Sequence, residues 1–281
     1  MKPPASSLHN EATYAVLDTD FISKAISIRN GMHILADEIL SFPGYAFYCH
    51  EKVRGELHGK GTDEAAEWLR QMTESGTISL YSDERIIREL EFCSLRSPIS
   101  YFLSFLKKGC SYLISADFYE NHFADLAGIS EGNPLSFLSA LHSCESTIGT
   151  GESYGEVKAF ILARTLQLKT NYSVCVFCSD DSGARRGFST MGNIPSISIP
   201  GVFVKMKSIG KTIEEMQPYF DDYIELCITK TNPVPMIKVW EYMFGTYKRV
   251  SVPMTFLLED IYRGRYITGR NGDLQSSLSH D

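Results

Sequence analysis

Short apolar runs that stop at carboxylates recur along this chain. Residues 14–17 (YAVL) run into Asp18 and Asp20, and residues 173–178 (SVCVFC) run into Ser179, Asp180 and Asp181. Runs of this length with polar ends predict buried β-strands. The second, nearly unbroken, suits a parallel strand covered on both faces. Between them the period changes. FISKAISI and MHILADEILSF have helical spacing, and GYAFYCHEKVRGEL reads as a strand leading into a helix around Glu56. TDEAAEWLRQMTESG is a marked helix: Thr62 or Asp63 can cap it, acids fill its first turn and Gly76 stops it. TISLYS is a further short strand. Residues 84 to about 126 alternate helical patterns with turns, GISEGNP is a loop and LSFLSALHSC another helix.

The most regular stretch is residues 149–201, which reads turn, helix, strand, turn, helix, strand. Val157, Phe160, Ile161, Ala163 and Leu166 form the apolar face of its first helix. Strands alternating with helices at this spacing predict an α/β protein with a parallel sheet and right-handed crossovers. In such sheets ligands gather at the carboxyl ends of the strands.

Composition narrows the function classes. The chain has 281 residues, 43% of them hydrophobic, enough for a sizeable core. No stretch approaches the ~18 uncharged apolar residues of a membrane span, and the opening residues hold no hydrophobic signal segment. Seven cysteines lie scattered without metal-ligand spacing, so Cys175 and Cys178 read as buried strand thiols. Free thiols and the missing signal predict a cytoplasmic protein with no membrane contact. A formal charge of −7 argues against bulk electrostatic binding of nucleic acid, but not against acids clustered at a metal.

The acids fall where the topology would gather them. Asp18 and Asp20 follow one predicted strand, and Asp180 and Asp181 follow another. Glu152 opens a helix, with Glu156 one turn later on the same face, and Glu56 lies near the start of a third helix. Each pair also has an ordinary reading: Asp18, Asp20, Asp180 and Asp181 as turn or capping residues, Glu152 and Glu156 as first-turn acids suited to the helix dipole. Carboxylates converging at one sheet edge would raise one another's pKa unless a cation lay between them. Oxygen ligands of this kind favour Mg²⁺ or Mn²⁺.

The motifs VLDTDFISKA, VRGEL, GTGESYGEVKAFILARTLQL, VFCSDDSGARRGF and IPSISIPGVFVKMKSIGK, in this order, resemble a PIN domain. The likeness is to the branch with a Gly-Glu helix start and an Asp-Asp-x-x-Ala-Arg turn, and it covers about residues 12–57 and 147–212. The resemblance implies a three-layer α/β/α sandwich with a central parallel sheet. It also implies a Mg²⁺- or Mn²⁺-dependent nuclease, RNA ahead of DNA as its substrate, acting through metal-activated water. Catalytic roles would fall to Asp18, Glu56, Glu152 and Asp181, and metal ligation to Asp18, Glu152, Asp180 and Asp181. Asp20, Glu156 and Ser179 are secondary candidates, and Arg185 and Arg186 would face substrate. His50 and His58 read as surface or capping residues.

Two other readings stand beside this one. A PIN-like fold can serve as a non-catalytic binding or regulatory protein. VLDTDFI also approximates the first motif of haloacid-dehalogenase-like phosphatases, with Asp18 as nucleophile and Asp20 as acid/base. That reading leaves Glu56 and Glu152 without a role, finds Ile22 two positions after Asp20, and offers Ser82 but no persuasive Lys.

The expected organisation is a PIN-like domain over 12–212 with a helical insertion at about 83–147. A C-terminal helical extension over 213–281 would follow, its tail disordered from about 272. Apolar runs in the insertion (SPISYFLSFL, PLSFLSALH) predict packing on the core and an interface, with a homodimer as the simplest partner. A regulatory protein is another. Lys248, Arg249, Arg263, Arg265 and Arg270 interleave with Tyr247, Tyr262 and Tyr266, a mixture suited either to single-stranded nucleic acid or to a docked helix and a floppy tail.

Overall fold

The computed structural model describes residues 12–59, 62–93, 97–129, 133–149, 153–169, 174–228 and 233–277. The chain opens with β1 (Thr13–Leu17) and α1 (Thr19–Ser27). A short hairpin, β2 (Arg29–Asn30) and β3 (His33–Ile34), then precedes α2 (Leu35–Leu40). The helix expected across residues 32–42 is thus halved, and Gly31 at φ 61° makes the hairpin turn. Next come β4 (Tyr45–His50), α3 (Glu51–Gly59), α4 (Asp63–Glu74) and β5 (Ile78–Tyr81). A helical run follows: α5 (Asp83–Cys93), α6 (Pro98–Leu113), α7 (Phe118–Phe123) and α8 (Pro134–Glu145). Helix α9 (Tyr154–Lys169) returns the chain to β6 (Cys175–Cys178). Then come α10 (Ser182–Arg186), β7 (Ser196–Ile197), α11 (Ile199–Ser208) and α12 (Ile213–Cys227).

β5, β4, β1, β6 and β7 form one parallel five-stranded sheet in that order, with helices on both faces, an arrangement compatible with a three-layer α/β/α sandwich. Strand alternation divides the core in two. Ala15 and Leu17 face the layer of α1–α4 and α11–α12, while Val16 faces α5, α6, α8 and α9. The helices read as an insertion therefore make up one face of the sandwich. Their apolar runs are buried within the chain: Phe102, Leu106, Phe137 and Leu141 are fully enclosed. Most of the apolar surface that motivated an interface lies in the chain's own core, while Leu135 of the second run stays 70% exposed.

The C-terminal part departs from expectation. After α12 it builds a four-stranded sheet, not a further helical array. β8 (Met236–Met243) and β9 (Thr246–Pro253) form a hairpin. After α13 (Leu257–Tyr262), β10 (Tyr266–Thr268) and β11 (Leu274–Ser276) complete the order β10-β11-β8-β9. The tail expected to be disordered from about 272 is ordered through β11, with Leu274 in the core; residues 278–281 lie outside the described residues. No helix among the described residues is long and apolar enough to cross a membrane.

Candidate active site

The parallel sheet brings three carboxyl ends together. β1 ends at Leu17, so Asp18 emerges at the sheet edge beside the end of β6, where Ser179, Asp180 and Asp181 follow Cys178. Asp18 takes the N-cap position of α1, yet its side chain makes no capping bond. Instead its Oδ2 accepts a hydrogen bond from Ser179 Oγ at 2.9 Å, and that hydroxyl in turn accepts from the Asp181 backbone N–H at 3.1 Å. Ser179, fully buried, thus fixes both acidic loops against each other. Glu56 arrives from α3 and accepts from Thr19 Oγ1 at 2.6 Å. Glu156 stands in the first turn of α9.

A single pocket of about 630 Å³ collects Asp18, Asp20, Glu56, Glu156, Asp180 and Asp181. Among the described residues the ammonium in its wall is that of Lys24, committed to Asp180 at 2.7 Å and Asp20 at 3.2 Å. Burial of Lys24 would favour its neutral form, but the two aspartates outweigh it and keep the ammonium charged. Among the described residues no Lys or Arg is ion-paired with Asp18, Glu56 or Glu156. Burial pushes the Asp18 carboxyl up to about 6 against the pull of the Ser179 bond, with Glu56 and Asp20 adding to the rise. Glu156 rises to about 8, through burial first and then through repulsion from Asp18, Asp181 and Glu56. These are the shifts expected where acids converge on a place that suits a cation. Their hard oxygen donors and their mutual repulsion fit a divalent cation such as Mg²⁺ or Mn²⁺.

The close approach of Glu56 to α9 depends on Gly155. Any Cβ at this buried position would collide with the Glu56 carboxylate. Glycine here is a steric requirement of the site rather than of the backbone.

The candidates sort as follows. Asp18, Glu56 and Asp181 share the pocket, as do Asp20 and Asp180, both tethered to Lys24; Asp180 also accepts from the Ile199 backbone N–H at 3.2 Å. Asp181 caps α10 through Ala184 at 2.8 Å, so its ordinary role coexists with its place in the pocket. Ser179 is a positioning group. Glu152 lies outside the described residues, and the α9 acid seen in the pocket is Glu156. Arg185, expected to face substrate, is instead turned into the protein. Its guanidinium is buried, paired with Asp273 at 2.6 Å and bonded to the Ser179 and Asn271 carbonyls. It braces the Ser179–Asp181 loop against the C-terminal sheet. Arg186 is exposed. His50 is no surface residue; it is buried, and its Nδ1 accepts from the Lys52 backbone N–H in the capping manner expected.

A second polar cluster lies between α5, α8 and α9. Asp83, His142 and Glu145 place ligand atoms within 4.8 Å of one another and could hold a metal ion. The buried Lys158 ammonium already bonds Asp83 at 2.6 Å and also pairs with Glu145. Burial works to raise the Asp83 carboxyl, but Lys158 and His50 outweigh it and hold the group well below the usual range. A metal there would have to displace Lys158, whereas at the Asp18 pocket Lys24 pairs with Asp20 and Asp180, and among the described residues Asp18, Glu56 and Glu156 have no cation paired to them. Ser82, the residue a phosphatase reading would use, lines a different hollow with Arg85 and Arg88.

Comparison with known proteins identifies no matching family model, no characterised relative and no solved structure that resembles the chain.

Proposed function

We propose that the chain is a metal-dependent nuclease with a PIN-like site, cutting single-stranded RNA in preference to DNA. The convergence of Asp18, Glu56, Glu156 and Asp181 on one pocket at the carboxyl edge of a parallel sheet carries this reading. A Mg²⁺ or Mn²⁺ ion held by Asp18, Glu156 and Asp181 would neutralise these acids and acidify a bound water for attack on a phosphodiester. The chain's own residues supply the rest. Ser179 holds the Asp18 carboxylate in place and Thr19 holds Glu56. Glu156 keeps its proton at neutral pH while no cation is near and surrenders it when one arrives. Lys24 ties down Asp20 and Asp180, which limits the negative charge that a phosphate must approach. The pocket's acids occupy both Glu56 and the α9 position, which a phosphatase with Asp18 as nucleophile leaves unused.

The test is incubation of the purified protein with labelled single-stranded RNA and DNA, in Mn²⁺ or in EDTA, beside Asp18→Asn. The expected outcome is RNA cleavage that needs Mn²⁺ and disappears in Asp18→Asn. Cleavage that persists in EDTA, or hydrolysis of small phosphomonoesters in place of polynucleotides, overturns the proposal.

A further inference from the structure

The C-terminal sheet has one face in the core and one face open. Ile237, Val239, Val250 and Val252 pack inward, with Val239 fully buried. Strand alternation and register then put Lys238, Trp240 and Tyr242 of β8 on the other face, level with Ser251, Arg249 and Tyr247 of β9 and with Gln275 of β11. Tyr242 is 47% exposed and stands edge-on to Tyr247, with ring centroids 5.2 Å apart. Trp240 and Tyr247 line a hollow of about 490 Å³ that Arg270 also borders. None of the outward strand positions is an acid; the carboxylate nearest them, Asp273 just before β11, is held by Arg185, Trp240 and Arg249. The Arg249 guanidinium pairs with Asp273 only at 3.6 Å through Nη2, and its Nε–H is buried with no acceptor among the described residues. A buried guanidinium N–H in that state lacks a bond that a phosphate oxygen would supply.

The open face adjoins the acidic pocket. Lys238 and Arg249 line a second hollow together with Asp180, which also belongs to the carboxylate pocket. Trp240 Nε1 donates to Asp273 at 3.2 Å, and Asp273 pairs with the Arg185 that braces the Ser179 loop. The aromatic hollow and the hollow at Lys238 and Arg249 thus draw on neighbouring positions of one sheet face, and the second shares Asp180 with the carboxylate pocket.

We propose that this face is a platform for single-stranded nucleic acid. Bases stack on Trp240, Tyr242 and Tyr247, and Lys238, Arg249 and Arg270 take the phosphates, so that the strand is led toward the acidic pocket. The combination of flat π-surfaces and a positive track is what binds unpaired strands without sequence preference. A duplex hides its base faces and cannot use the aromatics. The proposal deepens the nuclease reading and rests on it for the direction of the strand, but strand binding itself does not require cleavage. Of the basic and aromatic residues that the sequence offered, Tyr247, Arg249 and Arg270 belong to this platform. Tyr266 is buried, while Arg265 is engaged with Glu241 and Asp260 and Arg263 with Glu259.

The test is fluorescence anisotropy in EDTA with a labelled 12-nucleotide oligouridylate, the matching oligothymidylate and a duplex RNA. The proteins compared are wild type, Tyr242→Ala, Tyr242→Trp and Lys238→Ala/Arg270→Ala, each checked by its melting curve. The wild type should bind both single strands at least tenfold more tightly than the duplex. Tyr242→Ala should weaken single-strand binding about tenfold, and Tyr242→Trp should restore it. The double variant should lower the dependence of log affinity on log salt by roughly 1.4, about 0.7 per phosphate contact. Equal affinity for duplex and single strand, or affinity unchanged in folded Tyr242→Ala and Lys238→Ala/Arg270→Ala, overturns the platform. Wild-type cleavage in Mn²⁺ is read alongside. Cleavage without platform-dependent binding sinks this proposal alone, and platform-dependent binding without cleavage sinks the nuclease reading alone.

Discussion

Glu156 illustrates how a site's electrostatics can be read from one residue. In the fold it titrates near 8, and in the unfolded chain near 4.5. Between these values the folded state binds the extra proton, so stability falls as pH rises from about 4.5 to 8 and levels off above. Asp18 adds the same trend between 3.8 and about 6. In EDTA, the wild-type protein should therefore melt at a lower temperature at pH 8.5 than at pH 5. Glu156→Gln should remove most of that slope, with a gain at pH 8.5 on the order of 2–4 kcal/mol, since each pKa unit is worth about 1.4. A slope equal to the wild type's in Glu156→Gln would show that the acid is not strained. Gly155 gives a complementary prediction. In Gly155→Ala the new methyl meets the far end of a flexible side chain, so the fold yields cheaply but Glu56 is pushed off Thr19. Cleavage should drop by about 10²-fold while stability changes by less than about 1 kcal/mol. Kinetics and melting curves of the same sample check both halves. At this scale the meeting of Asp18 and Asp181 in one pocket was legible, because Asp18 directly follows one strand and Asp181 lies three residues beyond the end of another, both ends marked by apolar runs. The place of Glu156 in the pocket was not singled out, because the sequence puts it on one helix face with Glu152 and nothing local ranks the two. Nor was the burial of Arg185, since the partner that covers it is 88 positions away.

Among elements, the parallel strands were readable from apolar runs of four to six residues, and the helices from their caps and periods. The C-terminal sheet was missed, although KVWEYMFGTYKRVSV alternates along its length. Its turn is the reason: Phe244 at φ 51° and Gly245 at φ 81° close the β8–β9 hairpin. A bulky residue in the left-handed region is an uncommon turn former, so the local signal was weak. The same scale explains how the helical layer is fastened. Lys158 of α9 binds Asp83 of α5 and Glu145 of α8 inside the core, and Tyr154 donates to Glu145 at 2.7 Å. Removing one member leaves the others buried and uncompensated. Lys158→Met should cost about 3–5 kcal/mol. Adding Asp83→Asn to it should cost less than the two single changes summed. Urea denaturation of the three variants decides this; additive losses would mean that the groups are not coupled.

For the whole molecule, the chain divides its labour between the two edges of one connected assembly. The parallel sheet gathers acids at its carboxyl edge, and the C-terminal sheet braces that edge through Arg185 and Asp273. The central claim is that the acids gather to hold a divalent cation, and calorimetric titration of Mn²⁺ into the cation-free protein at pH 7 tests it most directly. The wild type should show saturable binding with release of protons, because Glu156 and part of Asp18 must ionise as the cation enters. Asp18→Asn should lose that binding, and Lys158→Met should keep it. No saturable heat up to millimolar Mn²⁺, or binding that survives Asp18→Asn but not changes around Asp83 and Glu145, would contradict the account.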